Sequence, residues 1–424
     1  MAAGFDRFDL SPELLRAVAD AGFTEPRPIQ DKALPHALAG RDVLGLAQTG
    51  TGKTAAFLLP ILERLRLGGG KGPRALIVAP TRELASQIHE ECRRLARHTP
   101  LESIAIFGGV PIQRQLRALR GSPAIVVACP GRLLDLLDRR ALRLDRIETL
   151  VLDEADHMFD MGFLPSIRRI VAALPRERQN LLFSATMPTE IRKLAERLLH
   201  DPVRVELPSA GPNERIAHVV VPVGEQGKDA MVEQLIGDGS FRSAIVFLRT
   251  KRRVKSLTQR LARGGHSAVG LQGNMSQGQR ERALAGFRAG RYDVLVATDI
   301  AARGIDVAGV SHVINYDLPS TPDAYVHRIG RTGRAGLEGR ACTFVTNEDR
   351  SSLRAIEKHL GAPIEREGAA PIDGEERRRA RGATADGPSA DARRTEPARR
   401  RSRRRAKARR GRGSVEGSPR TARR

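Results

Sequence analysis

The chain has 424 residues, with 72 Lys+Arg against 49 Asp+Glu and a formal net charge of +23. That length predicts two to three domains able to bury their own cores without disulfide or metal staples, and the charge favours polyanionic partners such as nucleic acid. No apolar run is long enough to span a membrane, a start carrying Asp6 and Asp9 does not read as a secretory leader, and the scattered Cys92, Cys129 and Cys342 lack CxxC spacing, which together point to a cytoplasmic protein whose thiols are small hydrophobes.

In chain order, the first apolar run is Asp42 to Leu46, followed by Ala47-Gln48-Thr49-Gly50-Thr51-Gly52-Lys53-Thr54 and an apolar helical stretch from Ala55. Strand, glycine-rich loop and helix in that order form a phosphate loop. Its glycines let backbone N–H groups approach phosphate oxygens, Lys53 reaches the β and γ oxygens of a nucleotide, and Thr54 can ligate magnesium at the helix start. Ala47 stands where the strict pattern has its first glycine.

Further runs at Ala75 to Ala79, Ala124 to Ala128 and Thr149 to Leu152 read as buried parallel strands, with amphipathic segments such as Thr81 to Arg97 between them. The run ending at Leu152 delivers Asp153-Glu154-Ala155-Asp156 at a strand's C-terminal end, where open α/β sheets bind their ligands. Paired with the phosphate loop, Asp153 reads as the magnesium-holding carboxylate and Glu154 as the group that orients or polarises the attacking water. After the polar stretch Pro208 to Arg215 the alternation resumes, with runs at Ala244 to Leu248, Val294 to Ala297 and Val310 to Tyr316. The fold class is therefore α/β, with two tandem doubly wound parallel-sheet domains. No internal repeat of 20–50 residues is visible. From Gly374 onward there are 19 Lys+Arg against 6 Asp+Glu, one large aliphatic residue (Val415) and no aromatic, too little apolar surface to offset the entropy of ordering.

The tetrad reads D-E-A-D, and the chain resembles the DEAD-box family of superfamily 2 RNA helicases over about residues 5–360, most of all the bacterial RhlE-type members with similar basic tails. The resemblance implies two RecA-like domains: 1–207, with an adenine-selective element at 5–33, and 216–362, joined by a linker at 208–215 and followed by a disordered tail at 363–424. It implies ATP and Mg²⁺ as cofactors. Phe23 and Gln30 would recognise adenine, an amide being able to donate and accept at once. Gln48, Thr49, Gly50, Thr51, Gly52, Lys53, Thr54 and Asp306 would hold the rest of the nucleotide, with Thr54 and Asp153 at the metal. Lys53, Asp153, Glu154, Arg331 and Arg334 would carry the chemistry, the two arginines of His327-Arg328-Ile329-Gly330-Arg331-Thr332-Gly333-Arg334 reaching across a cleft as arginine fingers.

RNA would be gripped by its backbone through Pro80, Thr81, Arg82, Gly109, Gly131, Arg132, Arg280, Gly273 and Thr298. Ser184, Thr186, Asp156 and His327 would couple hydrolysis to strand separation. Cys129 replaces a usual threonine and Gln272 a usual histidine. The expected function is ATP-dependent, sequence-independent local unwinding of RNA, in ribosome assembly or RNA decay. The rivals are an ATP-gated RNA clamp or annealing scaffold, and a DNA translocase of the same superfamily.

Overall fold

The computed structural model describes residues 4–367 except 49, 69, 71, 208–215, 239–240, 303–306, 308–309 and 334–337. Thr49, Asp306, Arg334, the linker 208–215 and the tail from 368 on therefore lie outside the described residues. Two parallel sheets of seven strands each dominate. The first is built from β1 (Val43–Leu46), β2 (Ala75–Val78), β3 (Ser103–Ile106), β4 (Ile125–Ala128), β5 (Thr149–Leu152), β6 (Gln179–Ser184) and β7 (Val203–Glu206). The second holds β8 (Ile216–Pro222), β9 (Ala244–Leu248), β10 (Ala268–Leu271), β11 (Val294–Thr298), β12 (His312–Asn315), β13 (Gly339–Val345) and β14 (Glu365–Arg366). Their orders are β3-β4-β2-β5-β6-β1-β7 and β10-β11-β9-β12-β13-β8-β14. Adding seven to each strand number of the first gives the second, so the halves share one topology although no repeat shows in the sequence.

The core strands are uninterrupted apolar runs because helices cover both sheet faces. In the first half one apolar cluster packs Val43, Ile77, Val127, Val151 and Phe183 under the helices before and after β1, and a second packs Leu44, Val78, Val126 and Leu152 on the other face. The second half is divided in the same way, with Val246 and Val296 on one face and Ile245 and Leu295 on the other. All three cysteines are free and buried in these layers. Among the described residues no helix is long and apolar enough to cross a membrane. The second half runs through Glu367, past the expected boundary at 362, because Glu365–Arg366 pairs with Val219 and Val220 of β8.

Candidate functional site: a nucleotide cleft between two halves

The nucleotide side is assembled at the C-terminal ends of β1 and β5. Gly52 caps the helix Lys53–Arg66 with φ of 96°. A Cβ there would meet Gln30 Nε2 at 2.6 Å and Arg27 Cδ at 2.9 Å, so both backbone and space demand glycine. Lys53, buried, donates from Nζ to the Ala47 carbonyl at 2.9 Å, and the Thr51 hydroxyl donates to the Gln48 carbonyl at 2.8 Å. Gln30 lies beneath the loop. Its Nε2 donates to the Gly52 carbonyl at 3.0 Å and its Oε1 accepts from Arg27 N at 2.9 Å, while Arg27 itself donates to the Gly50 carbonyl at 2.8 Å. The amide thus fixes the loop and retains one N–H and one lone pair for a ligand. A cavity of about 520 Å³ opens here, lined by Phe23, Gln30, Gly50, Gly52, Lys53, Thr54, Asp153 and Glu154, with Arg288 entering from the second half. Phe23 is held edge-on by Phe5, ring centroids 6.1 Å apart.

The acidic element turns sharply after β5. Glu154 adopts φ 53°, ψ 53°, a left-handed conformation uncommon for a residue with a side chain, and caps the helix Ala155–Asp160. Burial pushes the Asp153 carboxyl up to about 6, Lys53 pulling against it and Glu154 adding to it. Burial also opposes ionisation of Glu154, but His157, Lys53 and Arg331 outweigh it and hold that carboxyl well below the usual range. Glu154 Oε2 lies 2.8 Å from His157 Nδ1, and His157 Nε2 lies 3.0 Å from Nδ1 of His327 in the second half. A carboxylate only accepts, so His157 carries its proton on Nδ1, and with both rings neutral His327 donates to it. The rings meet edge-on at 4.7 Å.

Asp156 points the other way. Its Oδ2 accepts from Ala185 N (3.2 Å), Thr186 N (2.9 Å) and Thr186 Oγ1 (3.0 Å), and its Oδ1 from His157 N (3.0 Å). Ser184, the last residue of β6, accepts from Asp156 N at 3.2 Å and donates to the Thr186 carbonyl at 2.7 Å. One short helix therefore joins the Glu154 carboxylate, the Ser184-Ala185-Thr186 turn and the second half.

Two family models match this chain, DEAD/DEAH box helicase over residues 27–194 and Helicase conserved C-terminal domain over 227–336. An ATP-dependent RNA helicase CshA of Listeria monocytogenes is 47% identical over 355 residues, 84% of this chain and 68% of that one. The chain belongs to the DEAD-box ATP-dependent RNA helicases. A CshA of Bacillus subtilis is 45% identical over 367 residues, 86% of this chain and 74% of that one. The relatives compared carry the name CshA, so they lend no support to the RhlE-type subtype. Dbp5 of S. cerevisiae, solved bound to RNA and ADP BeF3, aligns at a TM-score of 0.75 with 34% identity, covering 89% of this chain and 98% of that one. This likeness bears out two tandem RecA-like domains.

The expected RNA residues of this helicase fall into three groups. Arg82, Gly109, Gly131, Arg132 and Gly273 are exposed or half-exposed. The Arg82 guanidinium lies so close to Gly109 that a Cβ there would sit 1.8 Å from Nη1, and Gly109 has φ of 78°. Pro80, Thr81 and Thr298 are buried, and Thr81 Oγ1 is used to cap Leu84 N at 3.2 Å. Arg280 is committed elsewhere. It donates to Glu83 Oε1 at 2.6 Å, with both side chains buried, and to the Ala301 carbonyl at 3.0 Å, so in this conformation it ties the halves together and presents little to a strand.

Arg331 is buried near Glu154, whose ionisation it favours. The neighbouring Arg328 is structural, gripping both Asp299 oxygens, Asn315 Oδ1 and the Asp317 carbonyl. Sequence reasoning missed His157 and Glu83. His157 had a signal, standing one turn beyond Glu154. Glu83 had none, because its partner lies 197 positions away.

Proposed function

We propose that this helicase binds Mg·ATP in the β1–β5 pocket and RNA along the cleft, and that the second half completes the hydrolytic site only when the halves meet. The observation that carries this reading is the continuous link from the left-handed Glu154 through His157 to His327, with Asp156 bonded to Thr186 on the same turn. The residues fit the nucleotide and its metal. Gly50 and Gly52 open the loop, Lys53 supplies the cation, and Thr54 and Asp153 line the cavity, the latter buried with more need of positive charge than Lys53 meets. Mg²⁺ held there by Thr54 and Asp153 would neutralise charge on the transferring phosphoryl group. Glu154, kept ionised, orients the attacking water and can take its proton, while Arg331 delivers positive charge from the second half.

Closure then favours ATP and RNA together, and the linkage is reciprocal. Arg82, Gly109 and Arg132 would grip the sugar-phosphate backbone without reading bases. Arg280 acts on the cleft by holding Glu83. The tail from 374, cationic and without aromatics, adds an electrostatic tether, and its charge suits large structured RNAs such as those of ribosome assembly or RNA decay. Glu154→Gln should reduce RNA-stimulated ATP turnover by about a hundredfold or more, and near-normal turnover would overturn the assignment. Matched single-stranded DNA should stimulate the parent protein far less than RNA.

A further inference from the structure

From Phe241 to Arg288 the chain carries eleven Lys and Arg against a single acid, Glu281. The core of that stretch is the helix Lys251–Arg263, which contains six cations and no carboxylate. Its three faces do different things. Val254, Leu257 and Leu261 are buried against the second sheet. Arg253 and Arg260, one side over, are paired: Arg253 with Glu225 and Asp317, Arg260 with Glu233 and Asp229. Arg252, Lys255 and Arg263 fall on the remaining face, one above another at helical spacing with Gln259 among them, all exposed. Among the described residues none of these three enters an ion pair. Carboxylates neutralise the cations of the paired side and leave on the other a stripe of cations about 16 Å long.

The helix start supplies a second, independent observation. Lys251, Arg252 and Arg253 occupy its first turn with no acid there, although the positive end of the helix dipole disfavours cations at that position. Local stability has been given up to concentrate positive charge, a conflict expected where a surface serves a ligand. The ligand is anionic, and the absence of any aromatic on the helix excludes base stacking.

We infer that Arg252, Lys255 and Arg263 form an accessory track for an RNA backbone, continuing from the cleft along the outer face of the second half. The track starts at the C-terminal end of β9, the sheet edge that also carries Gly273 beside Lys251. This rests on the reading above that the cleft takes RNA. The stripe then holds the flank of a strand whose centre lies in the cleft, without sequence preference and with strong salt dependence.

The test uses the full chain carrying Arg252→Gln, Lys255→Gln and Arg263→Gln together, with binding of labelled RNA followed by anisotropy across a salt series. A strand of about twenty nucleotides should bind about tenfold more weakly at low salt, with a salt slope smaller by about 2, whereas a strand of about six should lose less than twofold. Arg260→Gln, which removes a cation already paired with Glu233 and Asp229, should keep the parent slope. An unchanged slope for the triple variant, or equal weakening on both strands, overturns the track. RNA-stimulated ATP turnover of the parent on the short strand reports separately on the cleft, so failure there counts against the proposed function and not against the stripe.

Discussion

Acidification should open the cleft through His327. An imidazole in water titrates near 6.5, whereas His327 is pushed down to about 4 by burial first, then by the His157 ring and the Arg331 charge, against the opposing pull of Asp156 and Glu154. A group whose pKa is lower in the closed state binds fewer protons there. Its contribution to closure is complete above 6.5, shrinks as pH falls from 6.5 towards 4, and is gone below. Within that window each pH unit costs about 1.4 kcal/mol, or about tenfold in the closed-to-open ratio. The added proton goes to Nε2 of His327, because its Nδ1 already donates to His157, so the hydrogen bond survives and the cost is that of a buried positive charge close to Arg331.

The assay is RNA-stimulated ATP turnover, with RNA-free turnover as reference, in the window just below pH 6.5. The parent should lose most of its stimulation over one unit. His327→Asn retains an N–H near the position of Nδ1 but has no second ring nitrogen to protonate, so its stimulation should be lower at neutral pH and fall less steeply through the window, the fall that remains belonging to Asp153. An equal fall in both proteins would refute the argument and move the titration to another group.

Two further outcomes follow from single side chains. Asp156→Asn cannot reproduce a carboxylate that accepts on both oxygens; the loss should be about 2–3 kcal/mol, seen as a fall of about 5–10 °C in the melting temperature of the first half by calorimetry. Cys129→Thr should stabilise. The helix Pro130–Asp138 has no side-chain cap, whereas Thr81, Thr250 and Thr321 each cap theirs. A hydroxyl there should add about 1 kcal/mol, and an unchanged or lower melting temperature would show that the buried thiol, pushed up to about 12 by its surroundings, is the better fit.

The central strands were legible because both faces of a parallel sheet are covered, which leaves an unbroken apolar run: Thr149 to Leu152 and Ala244 to Leu248 are strands at the boundaries the runs suggest. Ser103–Ile106, only half-buried on alternate residues, and Glu365–Arg366, wholly polar, carry no such signal, since an edge strand is fixed by its neighbour's backbone. The phosphate loop and the acidic turn were equally plain, because each packs its chemistry into a few consecutive residues. What could not be read were the pairings across the cleft. His157 with His327 and Glu83 with Arg280 are set by how two separately folded sheets face each other, and no local spacing encodes that.

The shared topology also gives a physical reason why the proposed nucleotide site lies in one half and not the other. β8 holds in the second sheet the place of β1 in the first, and each leads into a helix whose first residue is a buried lysine, Lys228 and Lys53. β12 likewise matches β5, and carboxylates follow both, Asp317 and Asp153. Lys53 sits beside glycines and an open cavity. Lys228 instead donates to Glu225 at 2.7 Å and lies 3.5 Å from Asp317, with the Tyr316 ring at 5.4 Å. A carboxylate thus stands where an incoming phosphate would have to go, and Arg253 neutralises it further. Glu225→Ala should cost up to about 1 kcal/mol, the side chain being half exposed, and should leave Lys228 and Arg253 with Asp317 as their one shared carboxylate and a place open to an anion. In a Lys53→Ala background, where the first site cannot compete, pyrophosphate should then raise the melting temperature of the Glu225→Ala protein in a concentration-dependent way and leave its Glu225 counterpart unmoved. Equal shifts in the two would mean that Glu225 does not occupy an anion's place, and the asymmetry between the halves would need another cause.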